Sequence, residues 1–218
     1  MIRGIIFDFD GVIVDTEIVS YRIYKKILSD FGHDFTKYDY AYNFSGKTEE
    51  KNVNNLIDQY KLPLSFDECF DLVISTEKSM LAKGVDLKAG VNELLTYLSD
   101  NNIKMVVASS STRERAINIL EKHDIKHYFE GFVFAEDISK SKPNPEIFIK
   151  ANELLGFDKE ECLVIEDSEN GILAGYSAGI PVICVPDMKI PKDEYLDRTK
   201  HVVNSLEDII KIIDEINS

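Results

Sequence analysis

The 218-residue sequence has no tryptophan. It has only three cysteines and four histidines, the residues that form disulfides and bind metal ions in small domains, and only six prolines. Cys69, Cys162 and Cys184 are odd in number, widely spaced and outside any CxxC pattern, which argues against a disulfide framework or a zinc cluster. We expect reduced thiols in the core. The histidines lie outside the segments that carry the polar motifs described below, so catalysis by cysteine or histidine is not expected.

Basic residues are also scarce, with 25 lysines and arginines against 39 acids and a formal net charge of -14. This charge repels polyanions, so we expect no nucleic-acid partner and no membrane surface as a partner. No apolar run approaches a membrane-spanning length, and no basic segment followed by a long apolar one opens the chain. We therefore expect a cytoplasmic protein. A small phosphorylated metabolite is still a possible partner despite the negative net charge. A metal ion and one or two lysines can make the local electrostatic field at its binding site positive.

The most informative stretch is residues 4–15, Gly-Ile-Ile-Phe-Asp-Phe-Asp-Gly-Val-Ile-Val-Asp. Its apolar start predicts a strand buried on both faces, and Gly11 allows a sharp turn after it. Asp8 and Asp10 then lie at the carboxyl end of the strand, where parallel α/β sheets bind their ligands. The alternative interpretation is an ordinary turn that is rich in aspartate.

Residues 16–88 predict helices only. Apolar residues at helical spacing indicate helices at 16–31 and 48–60, and Ser65 with Glu68 forms a capping box for a helix that reaches Ala82. Residues 83–89, around Gly84, are the expected return linker. The domain prediction is an α/β core of residues 1–15 and 89–218, interrupted by a helical cap domain of residues 16–88.

After residue 91 the pattern alternates between helix and strand, with strands expected at 104–108, 131–135, 163–166 and 181–185 and an edge strand at 201–203. Helices are expected near 112–123, 145–155 and 169–178, and the apolar stripe of residues 206–216 indicates a core helix. This βαβ rhythm predicts a doubly wound, Rossmann-like parallel sheet as the core, with the all-helical cap domain inserted after its first strand.

Polar side chains follow each of the first four predicted strands, and in a parallel sheet they meet at one edge. They are Asp8 and Asp10, Ser109 and Ser110, Lys142, and Glu166 with Asp167. A nucleophilic carboxylate, a hydroxyl, an ammonium group and a metal-binding acid pair are what phosphoryl transfer through an aspartyl phosphate requires.

These motifs resemble those of the haloacid dehalogenase superfamily. The resemblance extends over essentially the whole length of the chain. The first motif matches residues 8–16, the second Ser109, the third Lys142 in Ser-Lys-Pro-Asn-Pro, and the fourth residues 166–168 with Gly171. The helical insert resembles the cap of the β-phosphoglucomutase-like and phosphosugar phosphatase branch. The resemblance implies phosphotransfer with Mg²⁺, and the presence of Asp10 argues against dehalogenation, since a halide leaving group needs no proton.

The resemblance also implies roles. Asp8 is the expected nucleophile and Asp10 the general acid and base, with Ser109, Ser110 and Lys142 on the phosphate. The metal set is expected among Asp8, Asp10, Glu166 and Asp167, and the cap residues Glu17 and Lys47 are expected to contact substrate. Alternatives remain: Ser110, Ser111 and Ser168 could only cap helices, Lys140 competes with Lys142, and Lys47 could be merely solvated.

The function expected from these residues is a monomeric, Mg²⁺-dependent phosphatase that hydrolyses a sugar phosphate or a nucleoside monophosphate through an aspartyl phosphate. The alternative enzyme is a β-phosphoglucomutase, whose cap supplies a histidine and an arginine. Ser20 and Glu49 stand at the matching positions, and an acid in place of a phosphate-binding arginine disfavours the mutase. An alternative of another class is a catalytically silent binding or regulatory module.

Overall fold

The computed structural model describes residues 1–45, 47–81 and 84–218, with the side chain of Leu81 excepted. Gly46, in the predicted substrate-reading loop, and Ala82 and Lys83, at the predicted end of a helix and start of the return linker, lie outside the described residues. Contacts divide the chain into two compact units, the first formed by Met1–Val14 and Leu87–Ser218 and the second by Asp15–Asp86. The predicted boundaries, 15/16 and 88/89, fall one and two residues from these limits.

The first unit is built on a six-stranded sheet in which all neighbouring strands are parallel. The strand order is β3-β2-β1-β4-β5-β6, so the first strand of the chain lies at the centre. The strands are β1 (Gly4–Phe7), β2 (Lys104–Ala108), β3 (Gly131–Val133), β4 (Cys162–Glu166), β5 (Val182–Cys184) and β6 (His201–Val202). The predicted Rossmann-like sheet is confirmed.

Six helices accompany this sheet: α5 (Val91–Asp100), α6 (Arg113–Lys122), α7 (Glu146–Leu155), α8 (Glu169–Ala178), α9 (Asp193–Leu196) and α10 (Leu206–Asn217). Helices α7 and α8 pack their buried residues against Ile6, Val106 and Val164 of the central strands. The alternate residues Ile5 and Leu163 point to the other face and are fully buried too. The sheet is therefore covered on both sides, as its apolar strands require.

The second unit consists, in its described residues, of four helices: α1 (Thr16–Asp30), α2 (Lys37–Asn43), α3 (Glu49–Tyr60) and α4 (Phe66–Leu81). Its interior is aromatic. The rings of Tyr24 and Phe44, for example, lie with their centroids 5.4 Å apart and their planes tilted by 51°. The capping box before α4 is confirmed, since the Ser65 backbone N–H donates to Glu68 at 2.8 Å and the Glu68 N–H donates to Ser65 at 3.3 Å.

Helix α2 was not predicted from the sequence. This helix has only seven residues, too few for a helical repeat of apolar positions to stand out. It depends instead on its cap, in which the Asp39 carboxylate accepts the Thr36 backbone N–H at 2.8 Å and the Thr36 hydroxyl accepts the Asp39 N–H at 3.2 Å. Within the described ranges, none of the helices combines the length and apolar character that crossing a bilayer demands.

The turn from β4 into α8 is closely packed around Gly171. Glu166, the last residue of β4, is 1% exposed, and its Oε2 accepts the backbone N–H groups of Asp167 and Ser168, each at 2.8 Å. A Cβ atom at Gly171 would lie 1.6 Å from Oε1 of Glu166. Only a residue without a side chain therefore lets the Glu166 carboxylate occupy this position.

We expect Gly171→Ala to lower the free energy of unfolding by about 1–3 kcal/mol, the usual cost of excess volume in a packed site. The methyl group must push the Glu166 carboxylate from its partners, and the better helix propensity of alanine, about 1 kcal/mol, offsets only part of this. Chemical denaturation measures the change. The control is Asn170→Ala, an exposed position in the same turn, which should change stability by less than about 0.5 kcal/mol. Equal stability of the Gly171→Ala protein and the unmodified protein would contradict this packing.

Candidate active site

The carboxyl ends of β2, β1 and β4, which are neighbours in the sheet, carry the predicted polar residues. Asp8 follows β1, and its backbone N–H donates to the carbonyl of Ile165 in β4 at 2.9 Å. Ser109 follows β2, and its N–H donates to the carbonyl of Val133 at 2.9 Å. These ladder contacts continue the sheet pairing by one residue and therefore place both side chains on one rim.

Lys142 links the ends of β1 and β4. It lies between β3 and α7, and its Nζ atom contacts Oδ1 of Asp8 and donates to Oε1 of Glu166 at 2.7 Å. Its side chain is 7% exposed and crosses the ring of Phe148, with Nζ 4.7 Å from the ring centroid. Lys140, the competing candidate, is exposed. The structure therefore brings Lys142, Asp8 and Glu166 into one buried group.

Burial governs the charges of this group. Burial raises the pKa of Asp8 to about 7, the Lys142 ammonium opposes that rise, and the neighbouring Glu166 adds to it. Burial alone would lower the pKa of Lys142, but the carboxylates of Asp8 and Glu166 outweigh it and raise that pKa. Lys142 thus stays protonated at neutral pH and supplies a fixed positive charge beside Asp8.

Glu166 has both carboxylate oxygens engaged. Its Oε1 accepts from Lys142, while its Oε2 accepts the two backbone N–H groups already described and the Ser168 hydroxyl at 3.0 Å. The Ser168 hydroxyl in turn accepts the N–H of Gly171 at 3.1 Å and caps α8. In this arrangement Glu166 holds Lys142 and the start of α8, and its direct binding of a metal ion stays a prediction.

Asp167 lies against the turn that follows Asp8. Gly11 has a φ of +84°, and a Cβ atom there would fall 2.4 Å from Oδ2 of Asp167. Among the described side chains, no three His, Cys, Asp or Glu residues are close enough together to hold a metal ion on their own. Mg²⁺ is commonly held by one or two carboxylates together with waters and substrate phosphate. Two carboxylates, Asp8 and Asp167, beside a glycine turn fit such a site.

Asp10 is held by a residue that the sequence analysis missed. Arg115, in the first turn of α6, donates from Nη2 to Oδ1 of Asp10 at 2.9 Å and from Nη1 to Oδ2 at 3.2 Å. The Ser111 hydroxyl donates to the same Oδ2 at 2.5 Å and is itself contacted by Arg115. The four-residue spacing of Ser111 and Arg115 around the start of α6 is the one sequence signal that pairs them.

The serines after β2 take different positions. Ser109 is 1% exposed, and its hydroxyl accepts the backbone N–H of Ser111 at 3.0 Å, whereas Ser110 is exposed. Ser111 has its hydroxyl on Asp10 and is not used as a side-chain cap of α6, whose N-cap residue is Thr112. Ser109 and Ser110 thus stay predicted phosphate ligands on this rim.

The predicted substrate residues of the second unit make contacts within that unit. Lys47 donates from Nζ to the carbonyl of Asn43, at the end of α2, at 2.5 Å. Burial raises the pKa of Tyr40, and the charge of Glu17, in the first turn of α1, raises it further. The Tyr24 hydroxyl donates to Glu49 at 3.1 Å, and burial raises the pKa of Glu49. Roles for Glu17 and Lys47 in substrate binding stay predictions.

The three cysteines are free and buried, as expected. Burial raises the pKa of Cys162 to about 11 and that of Cys184 to about 12. Neither thiol ionises appreciably at neutral pH, and a thiol must ionise to act as a nucleophile. The carboxylates on the rim are thus the better candidates for chemistry.

Two curated relatives resemble the chain over most of its length. It is 32% identical over 207 residues to the bifunctional riboflavin kinase/FMN phosphatase of Arabidopsis thaliana, with 94% of this chain and 54% of that protein covered. The chain thus spans about half the length of this relative. It is 29% identical over 178 residues to the phosphorylated carbohydrates phosphatase of Thermotoga maritima, with 82% of each chain covered.

A solved structure shares the fold. The crystal structure of β-phosphoglucomutase from Clostridium difficile superposes with a TM-score of 0.69 at 27% identity, covering 99% of this chain and 96% of the other. The family model for haloacid dehalogenase-like hydrolases matches residues 5–185, which include β1 from Ile5 onward, all of β2 to β5 and the whole rim described above. The chain is therefore a member of the haloacid dehalogenase-like hydrolase family.

Proposed function

We propose that the protein is a Mg²⁺-dependent phosphatase that hydrolyses a small phosphomonoester through an aspartyl phosphate on Asp8. The observation that carries this proposal is the buried contact of Lys142 with Asp8 and Glu166, beside Asp10 on the same rim. A carboxylate next to a fixed ammonium group can approach a phosphate dianion, because the positive charge reduces the repulsion between the two anions. The family membership supports the same chemistry.

Two steps complete the reaction. In the first, an oxygen of Asp8 forms a bond to phosphorus, the bond from phosphorus to the ester oxygen breaks, and Asp10 gives a proton to the departing alkoxide. In the second, a water molecule attacks phosphorus and loses a proton to Asp10 while the bond between phosphorus and the Asp8 oxygen breaks. This step releases inorganic phosphate and restores the Asp8 carboxylate and the protonated Asp10. Lys142 and Ser109 would hold phosphate oxygens during both steps.

Asp8, Asp167 and the backbone carbonyl of Asp10 would hold Mg²⁺. When bound, the ion would neutralise charge on the transferring phosphoryl group and orient it. This assignment gives Asp8 two cationic neighbours, the metal ion and Lys142, of which the lysine belongs to the protein itself. Glu166 keeps that lysine in place from the other side.

For the substrate we propose a monophosphate of a sugar, polyol or nucleoside. The Thermotoga maritima relative is named for phosphorylated carbohydrates and a relative in Escherichia coli for hexitol phosphate, which supports the sugar and polyol classes. The second candidate, a β-phosphoglucomutase, is favoured by the likeness to the Clostridium difficile enzyme. Glu49 counts against it, since its acidic side chain already accepts from Tyr24 and would repel a second phosphate.

A silent binding module is the remaining alternative. Asp8, Asp10, Ser109, Lys142 and Asp167 are all present, and the structure packs Lys142 against Asp8 instead of leaving either residue on the open surface. A binding module needs no such nucleophile and ammonium pair. An enzyme is thus the better explanation of the rim.

The decisive test of the proposed function is a screen of phosphorylated metabolites with released phosphate as the readout. We expect hydrolysis of sugar, polyol or nucleoside monophosphates with Mg²⁺. Excess EDTA should lower the rate at least about 100-fold, since without the ion the negative charges of Asp8 and Asp167 would oppose the phosphate dianion. The unmodified protein with Ca²⁺ in place of Mg²⁺ is the matched control for nonspecific ionic effects.

A parallel assay converts β-glucose 1-phosphate to glucose 6-phosphate. Efficient conversion with little phosphate released would replace the phosphatase by the mutase. No turnover of any compound together with no Mg²⁺ binding by calorimetry would favour the silent module.

Asp8→Asn should reduce turnover below detection while leaving the fold intact. The amide cannot form the acyl phosphate, but its oxygen can still accept from Lys142, so thermal unfolding should change little. Beryllium fluoride should mark the carboxylate of Asp8 in a crystal structure of the unmodified protein. Substantial activity in the Asn variant, or a fluoride adduct on another residue, would refute the assignment of the nucleophile.

The loss of rate caused by Asp10→Asn should depend on the leaving group of the substrate. We expect an alkyl phosphate to lose about 100- to 10,000-fold in kcat, the range for general acid and base catalysis. With p-nitrophenyl phosphate the loss should be smaller, because a nitrophenolate departs without a proton. Equal losses in kcat/KM with the two substrates would show that Asp10 does not protonate the leaving group, because kcat/KM covers only the steps up to formation of the aspartyl phosphate.

A further inference from the structure

Arg115 binds Asp10 and lies outside the family motifs. Its guanidinium uses two nitrogens on the two oxygens of Asp10, at 2.9 and 3.2 Å. The side chains are only partly exposed, 31% for Arg115 and 35% for Asp10. A two-point contact of this kind sets the plane of a carboxylate as well as its distance, which a single hydrogen bond does not do.

Arg115 is itself supported by the segment that joins β2 to α6. Arg115 also contacts the Ser111 hydroxyl, and that hydroxyl donates to Oδ2 of Asp10 at 2.5 Å. The backbone N–H of Ser111 is in turn held by the hydroxyl of the buried Ser109. The orientation of Asp10 is therefore tied to β2 through side chains of the loop and first helical turn that follow it.

Asp10 lies in the tight turn that follows β1. In this turn the Gly11 N–H donates to the carbonyl of Val14 at 2.9 Å, and the side chain of Asp10 is 35% exposed. A carboxylate that must give up and take back a proton at one oxygen atom needs its position held to within a fraction of an ångström. Contacts from α6 supply that restraint.

We propose that Arg115 is a positioning residue that sets the orientation of Asp10 for proton transfer. The inference rests on the proposed function and adds to it a residue outside the motifs. Arg115 acts through Asp10 and not on the substrate, so its loss should lower kcat and leave KM nearly unchanged. Its effect should also require the presence of Asp10.

The test is a double-mutant cycle of Arg115→Ala and Asp10→Ala, assayed with the best alkyl phosphate of the screen and with p-nitrophenyl phosphate. For Arg115→Ala alone we expect kcat with the alkyl phosphate to fall about 10- to 100-fold, with a smaller loss for the aryl substrate. In the Asp10→Ala background the same change should alter kcat by less than about two-fold. Arg115→Lys should recover only part of the rate, since an ammonium group cannot bind both oxygens in one plane.

The matched control is Arg113→Ala, two residues earlier on the same helix. Arg113 is paired with Asp137 at 2.6 Å, lies over the ring of Phe134 and is 49% exposed. Its removal deletes an arginine and an ion pair of similar exposure without touching Asp10, so kcat should stay within about two-fold of the unmodified protein. A second double-mutant cycle measures free energies of unfolding and so tests the contact without any assay of activity. The destabilising effects of Arg115→Ala and Asp10→Ala should be non-additive.

The outcomes separate the inference from the proposed function. An active protein in which Arg115→Ala behaves like Arg113→Ala, or in which its loss adds fully to that of Asp10→Ala, overturns the inference and leaves the phosphatase intact. A rise in KM of more than about ten-fold at constant kcat would make Arg115 a substrate ligand instead, which also overturns it. Absence of Mg²⁺-dependent hydrolysis in the unmodified protein overturns the proposed function itself.

Discussion

The arrangement of the site depends on one buried ammonium group, that of Lys142, held between the carboxylates of Asp8 and Glu166. These carboxylates stand at the ends of β1 and β4, which are neighbours at the centre of the sheet. Two like charges at this distance inside a protein are unfavourable unless a cation lies between them. Removing the lysine would leave both uncompensated, and breaking a buried pair in this way typically costs about 3–5 kcal/mol. The same contact thus stabilises the rim and places a positive charge beside Asp8.

Glycine makes room for these charged groups. At Gly171 the missing side chain admits the Glu166 carboxylate into the turn before α8, and at Gly11 it admits the Asp167 carboxylate against the turn after β1. Any larger residue at either place would displace an oxygen atom of the site. The acids and the glycines of the family motifs are therefore one packing unit, in which backbone geometry decides where the negative charges lie.

The two catalytic candidates of the first motif are held by different parts of the chain. Asp8 is bound by a lysine from the segment after β3, whereas Asp10 is bound by an arginine and a serine from the segment after β2. This division fits the two proposed roles, since a nucleophile benefits from a neighbouring positive charge and a proton carrier needs a fixed direction. Asp8 is 7% exposed as a residue, while the side chain of Asp10 is 35% exposed.

The sequence by itself determined the α/β class, the parallel sheet, the order of its strands along the chain and most of the polar residues on the rim, because these follow from apolar periodicity and from polar residues that end buried strands. It also predicted the helical insert, but it missed α2, whose stability comes from a cap and from tertiary packing. Only the tertiary structure decided that Glu166 is paired with Lys142 and that Arg115 is paired with Asp10. The physical reason is that the partners in these two pairs lie 24 and 105 residues apart in the sequence, and no local pattern specifies which cation will reach a given carboxylate.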